Sequence, residues 1–154
     1  MSFCGAYADV AKRAFEFYRS KGLEALPPCG QCYEGVYDPS YQGGPSWGGA
    51  FTELQTYGSS ACVRRTIYVR GVTDFLVYHE VGHYFVNKYR SPLNYSWPDE
   101  AIPQAMAAAA LGRTCDSYFY KRLYKKNPYT ADPIDWYDYC AVYLEQFRGA
   151  SNWA

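Results

Sequence analysis

The segment TDFLVYHEVGHYFVNKYR, residues 73–90, has the pattern of one continuous helix. Thr73 or Asp74 can accept hydrogen bonds from the first free backbone amides, and basic residues stand in the last turn, where the helix dipole favours positive charge. Apolar residues recur along the segment at positions 75, 76, 86 and 89. We therefore expect a largely buried helix between these two ends.

The only two histidines of the chain, His79 and His83, lie four residues apart on this helix. Residues i and i+4 share one face of an α-helix, so both imidazoles can reach a single metal ion. Glu80 projects beside them, where a carboxylate can take a proton from the reacting water. This H-E-x-x-H pattern is typical of zinc hydrolases. The alternative is a charged, exposed helix face that carries two ordinary histidines.

Gly82 stands in the turn between the two histidines. Glycine inside a helix lowers helix propensity by about 1 kcal/mol relative to alanine. We expect that another element approaches this turn closely, or that the turn leaves room around a metal ion.

A second helix is predicted downstream, because two imidazoles do not hold zinc tightly and a catalytic zinc usually has three protein ligands. The segment YSWPDEAIPQAM, residues 95–106, is followed by an alanine run that ends near Gly112. We expect Asp99 to be its N-cap, Pro103 to lie in its first turn, where proline is tolerated, and Gly112 to close it. Glu100 then stands at the start of a helix that can pack across the first one.

The combined pattern resembles the gluzincin metallopeptidases, which thermolysin typifies and which include aminopeptidases with a Trp-x-x-Glu zinc-ligand motif. The resemblance rests on His79-Glu80-x-x-His83 followed by Trp97-Pro98-Asp99-Glu100, and it covers residues 64–104. It implies that His79, His83 and Glu100 bind Zn2+ and that Glu80 is the catalytic base. The small size of the chain is similar to that of minigluzincins, single-domain proteins that hold only the core of the metal site.

Gln104 departs from the pattern of this clan. Many gluzincins carry an acidic residue at this position, one turn after the ligand glutamate, where it orients a zinc-bound histidine. A glutamine carbonyl can still accept a hydrogen bond from an imidazole N–H, but without charge. The resemblance therefore implies an orienting role for Gln104 with less basic histidine ligands.

The rest of the chain predicts an α+β fold in one domain, residues 1–154, and the resemblance implies that this domain is zincin-like. A small antiparallel or mixed sheet precedes the motif helix, the helix that carries Glu100 and further C-terminal helices. Residues 66–70 alternate as a strand does, either at the sheet edge beside the cleft or in the sheet interior. The other predicted elements are an amphipathic helix over 6–22, strands over 33–37 and 50–57, and helices over 115–125 and 134–148.

Six cysteines, at positions 4, 29, 32, 62, 115 and 140, predict up to three structural disulfides. Such usage favours an oxidising compartment or the cytoplasm of a thermophile, and the sequence shows no signal peptide or transmembrane segment. Cys29 and Cys32 could instead form half of a structural zinc site with Cys4 and Cys62, or a redox pair. A free cysteine that caps the catalytic zinc as a latency device is a further alternative.

The charge balance gives no reason to expect nucleic acid or a membrane as a partner. Fifteen basic and fifteen acidic residues cancel, so the chain has no net field to attract a polyanion. A zinc hydrolase also needs a donor that stabilises the oxyanion, and no third histidine is present. This donor could be an arginine, a lysine, a backbone amide or one of the tyrosines, with Tyr118, Tyr120, Tyr137, Tyr139 and Tyr143 as candidates.

The sequence thus predicts a zinc metalloendopeptidase whose partner is a peptide or protein substrate. In this mechanism Glu80 takes a proton from the attacking water and passes it to the leaving amine. The first alternative is a latent or non-catalytic zinc-binding structural or interaction protein with a zincin core, in which residues 134–154 fold into the cleft. The second is a globular domain without a metal, in which the motif is accidental.

Overall fold

The computed structural model describes residues 2–43, 48–115 and 139–154, which form an α+β fold. Within them lie a small mixed sheet of four strands and four α-helices, as the sequence predicts at this level. None of these helices combines the length and the apolar character needed to cross a membrane. The elements in order are β1 (Phe3–Gly5), α1 (Ala8–Ser20), β2 (Tyr33–Tyr37), β3 (Ala50–Tyr57), β4 (Ser60–Tyr68), α2 (Asp74–Tyr89), a 3-10 turn (Pro92–Asn94), α3 (Pro98–Ala110) and α4 (Ala141–Phe147).

The strands are ordered β1-β2-β4-β3 across the sheet. Strands β1, β2 and β4 are parallel neighbours, whereas β3 and β4 form an antiparallel hairpin. Strand β4, which leads into the motif helix, therefore lies in the interior of the sheet. The alternative prediction from the sequence, an edge position for this strand, is wrong. The edge is occupied by β3, because the hairpin folds this strand back on the outer side of β4.

A β-bulge in the hairpin sets which residues face the helices. Arg65 pairs with Glu53, but Val63 pairs with Leu54, so Arg64 is an extra residue in β4. One extra residue shifts the alternation of side chains by one position. As a result Val63 and Thr66, both fully buried, face the same side of the sheet.

Helix α2 begins and ends as the sequence predicts. The Thr73 side chain accepts a hydrogen bond from the backbone amide of Leu76, at 3.2 Å, and is the N-cap. The helix packs against the sheet, α1 and α3, and Val77, Val81 and Phe85 are completely buried. This packing supplies most of its stability, because burial of each such side chain contributes about 1.5–3 kcal/mol.

Helix α3 starts earlier than predicted. Its first residue is Pro98, so Asp99 lies inside the first turn rather than at the N-cap, and Pro103 lies in the second turn. Asp99 still satisfies an amide near the helix start, because its carboxylate accepts a hydrogen bond from the Ser96 N–H. The helix ends as expected: Gly112 has a φ of 65°, which allows the Arg113 amide to bond back to the Ala108 carbonyl.

Helices α2 and α3 approach each other at Gly82. A Cβ atom on Gly82 would lie 3.1 Å from the Pro103 Cβ and 3.2 Å from its Cα. The expectation that another element comes close to this turn is confirmed. Proline inside a helix is unfavourable by about 3 kcal/mol. Here the Pro103 ring packs directly on Gly82.

The C-terminal part of the chain lies against α1 and α3. Cys140 and Leu144 pack on the alanine face of α3, and Trp153 packs on Phe17 and Tyr18 of α1. The helix predicted over 134–148 is present as Ala141–Phe147, and residues 134–138 lie outside the described residues. The helix predicted over 115–125 also lies outside them, except for Cys115.

All six cysteines are paired, which confirms the interpretation as structural disulfides. The pairs are Cys4–Cys32, Cys29–Cys62 and Cys115–Cys140. The alternatives of a zinc site, a redox pair or a capping free cysteine are wrong, because Cys29 and Cys32 belong to different disulfides and no thiol is left. Three disulfides in a chain of this size are typical of secreted or extracellular proteins.

Substitution of Gly82 by alanine should destabilise the protein. Overpacking costs about 1–3 kcal/mol and outweighs the gain in helix propensity of about 1 kcal/mol. We expect the free energy of unfolding in urea to fall by about 1–2 kcal/mol. Gly71→Ala is the matched control, since nothing lies within 4 Å of a Cβ there. An unchanged or higher stability of Gly82→Ala would contradict the close contact.

The disulfide pairing predicts a simple alkylation result. In denaturant without reductant, iodoacetamide should modify none of the cysteines, and after reduction it should modify all six. Mass spectrometry of the intact chain counts the added groups, and digestion without reduction identifies the linked peptides. Thiols that become reactive after a chelator alone would indicate a cysteine metal site instead.

Candidate metal centre

His79 and His83 lie on successive turns of α2, on the side that faces the start of α3. Their Nε2 atoms are 3.2 Å apart. Glu100, in the first turn of α3, places its Oε1 atom 2.7 Å from Nε2 of His83 and 3.4 Å from Nε2 of His79. The packing of the two helices thus brings three side chains from two neighbouring helices to one point.

This arrangement fits a metal ion. Neighbouring ligands of a tetrahedral zinc, with bonds of 2.0–2.1 Å, lie about 3.3–3.4 Å apart. The separations of His79 Nε2 from the other two atoms are close to this value, whereas the His83–Glu100 distance is that of a hydrogen bond. The Glu80 carboxylate is also near, since ligand atoms of His79, Glu80 and His83 lie within 4.8 Å of one another. These side chains could hold a metal ion.

The centre is buried, and its charges compensate each other. His79, Glu80 and Glu100 are each 5 % exposed or less. Burial alone would lower the pKa of His83, but the Glu100 carboxylate and its hydrogen bond raise it to about 9. Burial alone would raise the pKa of Glu100, but the two imidazoles hold it well below its ordinary value. Glu100 is therefore a carboxylate at neutral pH, the form that binds a cation, and a bound cation would compete with the proton on His83.

The Glu80 carboxylate lies between this three-residue cluster and the edge strand. The hydroxyl of Thr52, on β3, donates a hydrogen bond of 2.8 Å to Glu80 Oε1. A cavity of about 370 Å³ opens beside His79 and Glu80. Its other walls come from residues 48–50, from the start of α2 with Phe75 and Leu76, and from Gln104.

Gln104 lies beside the candidate site. Gln104 is partly buried and lines the same cavity as His79 and Glu80. Its expected role as a hydrogen-bond acceptor for a histidine imidazole stays a prediction.

An ion pair between the ends of α2 and α3 fixes the position of Glu100. Arg90 Nε donates to Asp99 Oδ1 at 3.1 Å, and the Ser96 amide donates to Asp99 Oδ2 at 2.8 Å. Asp99 is 1 % exposed and directly precedes Glu100. Sequence reasoning considered Asp99 only as a helix cap and missed Arg90, because the pairing depends on the tight turn between the helices.

Tyr95 is a further site residue that the sequence did not single out. Its hydroxyl is hydrogen bonded to the Glu100 carboxylate, and burial together with this charge raises the pKa of Tyr95 above its ordinary value. Of the tyrosines considered as oxyanion donors, Tyr139 and Tyr143 pack their rings against Trp97. Tyr118, Tyr120 and Tyr137 lie outside the described residues. The one signal for Tyr95 was its place in the short connection between the two helices.

Comparison of the chain with protein-family models, curated proteins and solved structures gave no match. The described residues show a buried cluster of two imidazoles and one carboxylate, a second carboxylate beside it, and a cavity that reaches His79 and Glu80.

Removal of one candidate ligand should abolish tight metal binding. We expect about one zinc per wild-type chain and close to none in His83→Ala. Loss of Glu100 in Glu100→Ala should weaken zinc binding by more than about 100-fold, since even partners of a ligand contribute 10–100-fold. Elemental analysis and a competition titration measure these values, with the exposed Glu24→Ala as control. A wild-type chain that takes up no zinc would contradict the metal centre.

Proposed function

We propose that this chain is a zinc-dependent metallopeptidase of gluzincin type with a zincin-like fold. The observation that carries the proposal is the convergence of His79, His83 and Glu100 within 3.4 Å, with a second carboxylate beside them. Glu100 is assigned as the third ligand because it faces both imidazoles, whereas Glu80 is held by Thr52. This leaves Glu80 for proton transfer.

The chemistry follows from these roles. Zinc in this site would polarise the scissile carbonyl and make a water molecule acidic near neutral pH. Glu80 accepts one proton from this water while the oxygen of the water attacks the carbonyl carbon. The same proton then goes to the nitrogen of the leaving amine as the C–N bond breaks, which returns Glu80 to its carboxylate form. The Tyr95 hydroxyl donates its proton to the Glu100 carboxylate and so helps to hold this carboxylate at the two imidazoles.

The edge strand supports a peptide as substrate. Among the described residues, β3 pairs only with β4, so the backbone groups along its outer side can bond to an added extended chain. Thr52 on this strand contacts Glu80, so a peptide added there would pass the proposed base. The neighbouring cavity has Phe75 and Leu76 in its wall and can take an apolar side chain of the substrate.

Substitution of Glu80 by glutamine tests the mechanism. The amide in Glu80→Gln keeps the shape of the side chain but cannot accept the proton, so kcat should fall by about 100-fold to 10,000-fold. Zinc content should stay that of the wild type, because His79, His83 and Glu100 are unchanged. Cleavage of a peptide library, followed by mass spectrometry, gives the activity.

Glu34→Gln is the matched control, since this glutamate is exposed on β2. Removal of zinc by a chelator should abolish cleavage by the wild type, and restoring zinc should recover it. Full activity of Glu80→Gln would remove the proposed role of Glu80.

A further inference from the structure

Three hydroxyl groups connect Glu80 to the core of the protein. Thr52 Oγ1 lies 2.8 Å from Glu80 Oε1 and 3.3 Å from Thr66 Oγ1, and Thr66 Oγ1 lies 2.7 Å from the Tyr84 hydroxyl. Thr66 is completely buried and Tyr84 is 2 % exposed. Glu80 and Tyr84 are four residues apart on α2, so the chain of hydroxyls leaves this helix, crosses β4 and β3, and returns to it.

The carboxylate sets the direction of these hydrogen bonds. Each hydroxyl has one proton to donate, and an ionised carboxylate can only accept. Thr52 therefore donates to Glu80 Oε1, which is nearer than the Glu80 backbone carbonyl at 3.3 Å. Thr52 in turn accepts from Thr66, and Thr66 accepts from Tyr84. All three protons then point toward Glu80.

The chain of hydroxyls makes the two carboxylate oxygens of Glu80 different, because only Oε1 accepts the hydrogen bond from Thr52. Oε1 already accepts the Thr52 proton, whereas Oε2 has no hydrogen bond of this kind to compete with a further proton, so Oε2 is the better placed of the two oxygens to take one. Each hydroxyl along the chain already donates toward Glu80, so none of them is free to carry a proton away from it. A proton taken up at Oε2 therefore has no exit through these three hydroxyls and can be passed to the leaving amine on the other side of Glu80.

We propose that Thr52 is a positioning residue for Glu80, held in place by Thr66 and Tyr84, and that it keeps Oε2 turned to the reacting water. The inference rests on the proposed function of Glu80 as the base. Packing alone does not account for threonine at positions 52 and 66. Valine would fill these strand positions equally well, and a buried hydroxyl without a partner is unfavourable. The extra residue in β4 places Thr66 where it can bond to both neighbours.

A double-mutant cycle on the full-length, disulfide-intact chain without metal tests the bond itself. Thr52→Val should raise the unfolding equilibrium constant about tenfold or more, as expected for loss of a hydrogen bond to a charged group. In a Glu80→Leu background the same change should have an effect of less than about threefold, because the acceptor is gone. Thr56→Val, an exposed position on the same strand, is the control. Effects that simply add would overturn the chain of hydrogen bonds.

Kinetics of the zinc-loaded protein test the positioning role. Thr52→Val should lower kcat about tenfold or more, while KM and zinc content stay within about twofold of wild type. Thr52→Ser keeps the hydroxyl and should restore kcat to within about threefold. Tyr84→Phe, which removes the far end of the chain of hydroxyls, should cause a smaller loss than Thr52→Val.

The outcomes separate this inference from the proposed function. If Glu80→Gln is inactive but Thr52→Val keeps the wild-type kcat, the positioning role is overturned and the peptidase proposal stands. If the zinc-loaded wild type cleaves no peptide, or if Glu80→Gln is as active as wild type, the proposed function falls and the role of Thr52 falls with it. Coupled stability effects, loss of kcat in Thr52→Val and rescue by serine together support the inference.

Discussion

The close contact between α2 and α3 at Gly82 is the constraint on which the candidate site depends. A side chain at this position would push Pro103 away, and with it the first turn of α3. Glu100 stands in that turn, and its carboxylate reaches both imidazoles only because the helix axes are so near. The Arg90–Asp99 ion pair closes the connection on the other side. One glycine thus determines whether the three side chains can meet.

Buried charge is tolerated here because every charge has a compensating partner. Glu100 is balanced by the imidazoles, Asp99 by Arg90 and a backbone amide, and Glu80 by a directed hydroxyl. Isolated ions in such surroundings would be strongly unfavourable. Every partner is needed, because removal of any one of them leaves a buried charge without compensation. Such a network adds little net stability, and it would suit a site that holds a cation and moves a proton, as proposed.

The parts of this structure that follow from local sequence were predictable. The period of α2 indicated the shared face of His79 and His83, and the turn residues indicated strands 33–37 and 50–57 with the correct bounds. The errors and omissions concern some element bounds and the tertiary contacts: the strand predicted over 66–70 is β4, which begins at Ser60 and ends at Tyr68. The interior place of β4 depends on its pairing with β2, and Thr52 reaches Glu80 only through the hairpin and its bulge. Asp99 and Pro103 were placed too early in the helix because the sequence does not show that α3 starts at Pro98.

The helix pair α2 and α3 and the sheet also differ in sequence separation, which is the number of residues between two segments in contact. The helix pair that holds the candidate site is joined by a short connection, so its contacts close only a small loop and lose little chain entropy. The parallel pairing of β1 with β2 and of β2 with β4 joins residues that are far apart, and the cystines 4–32 and 29–62 link the same segments. We therefore expect the pair of helices α2 and α3 to assemble early in folding, and the closure of the sheet with its disulfides to be the slower step. Among the described residues the outer edge of β3 has no strand partner even in the folded sheet, so it is open to pairing with another chain both during that interval and afterwards.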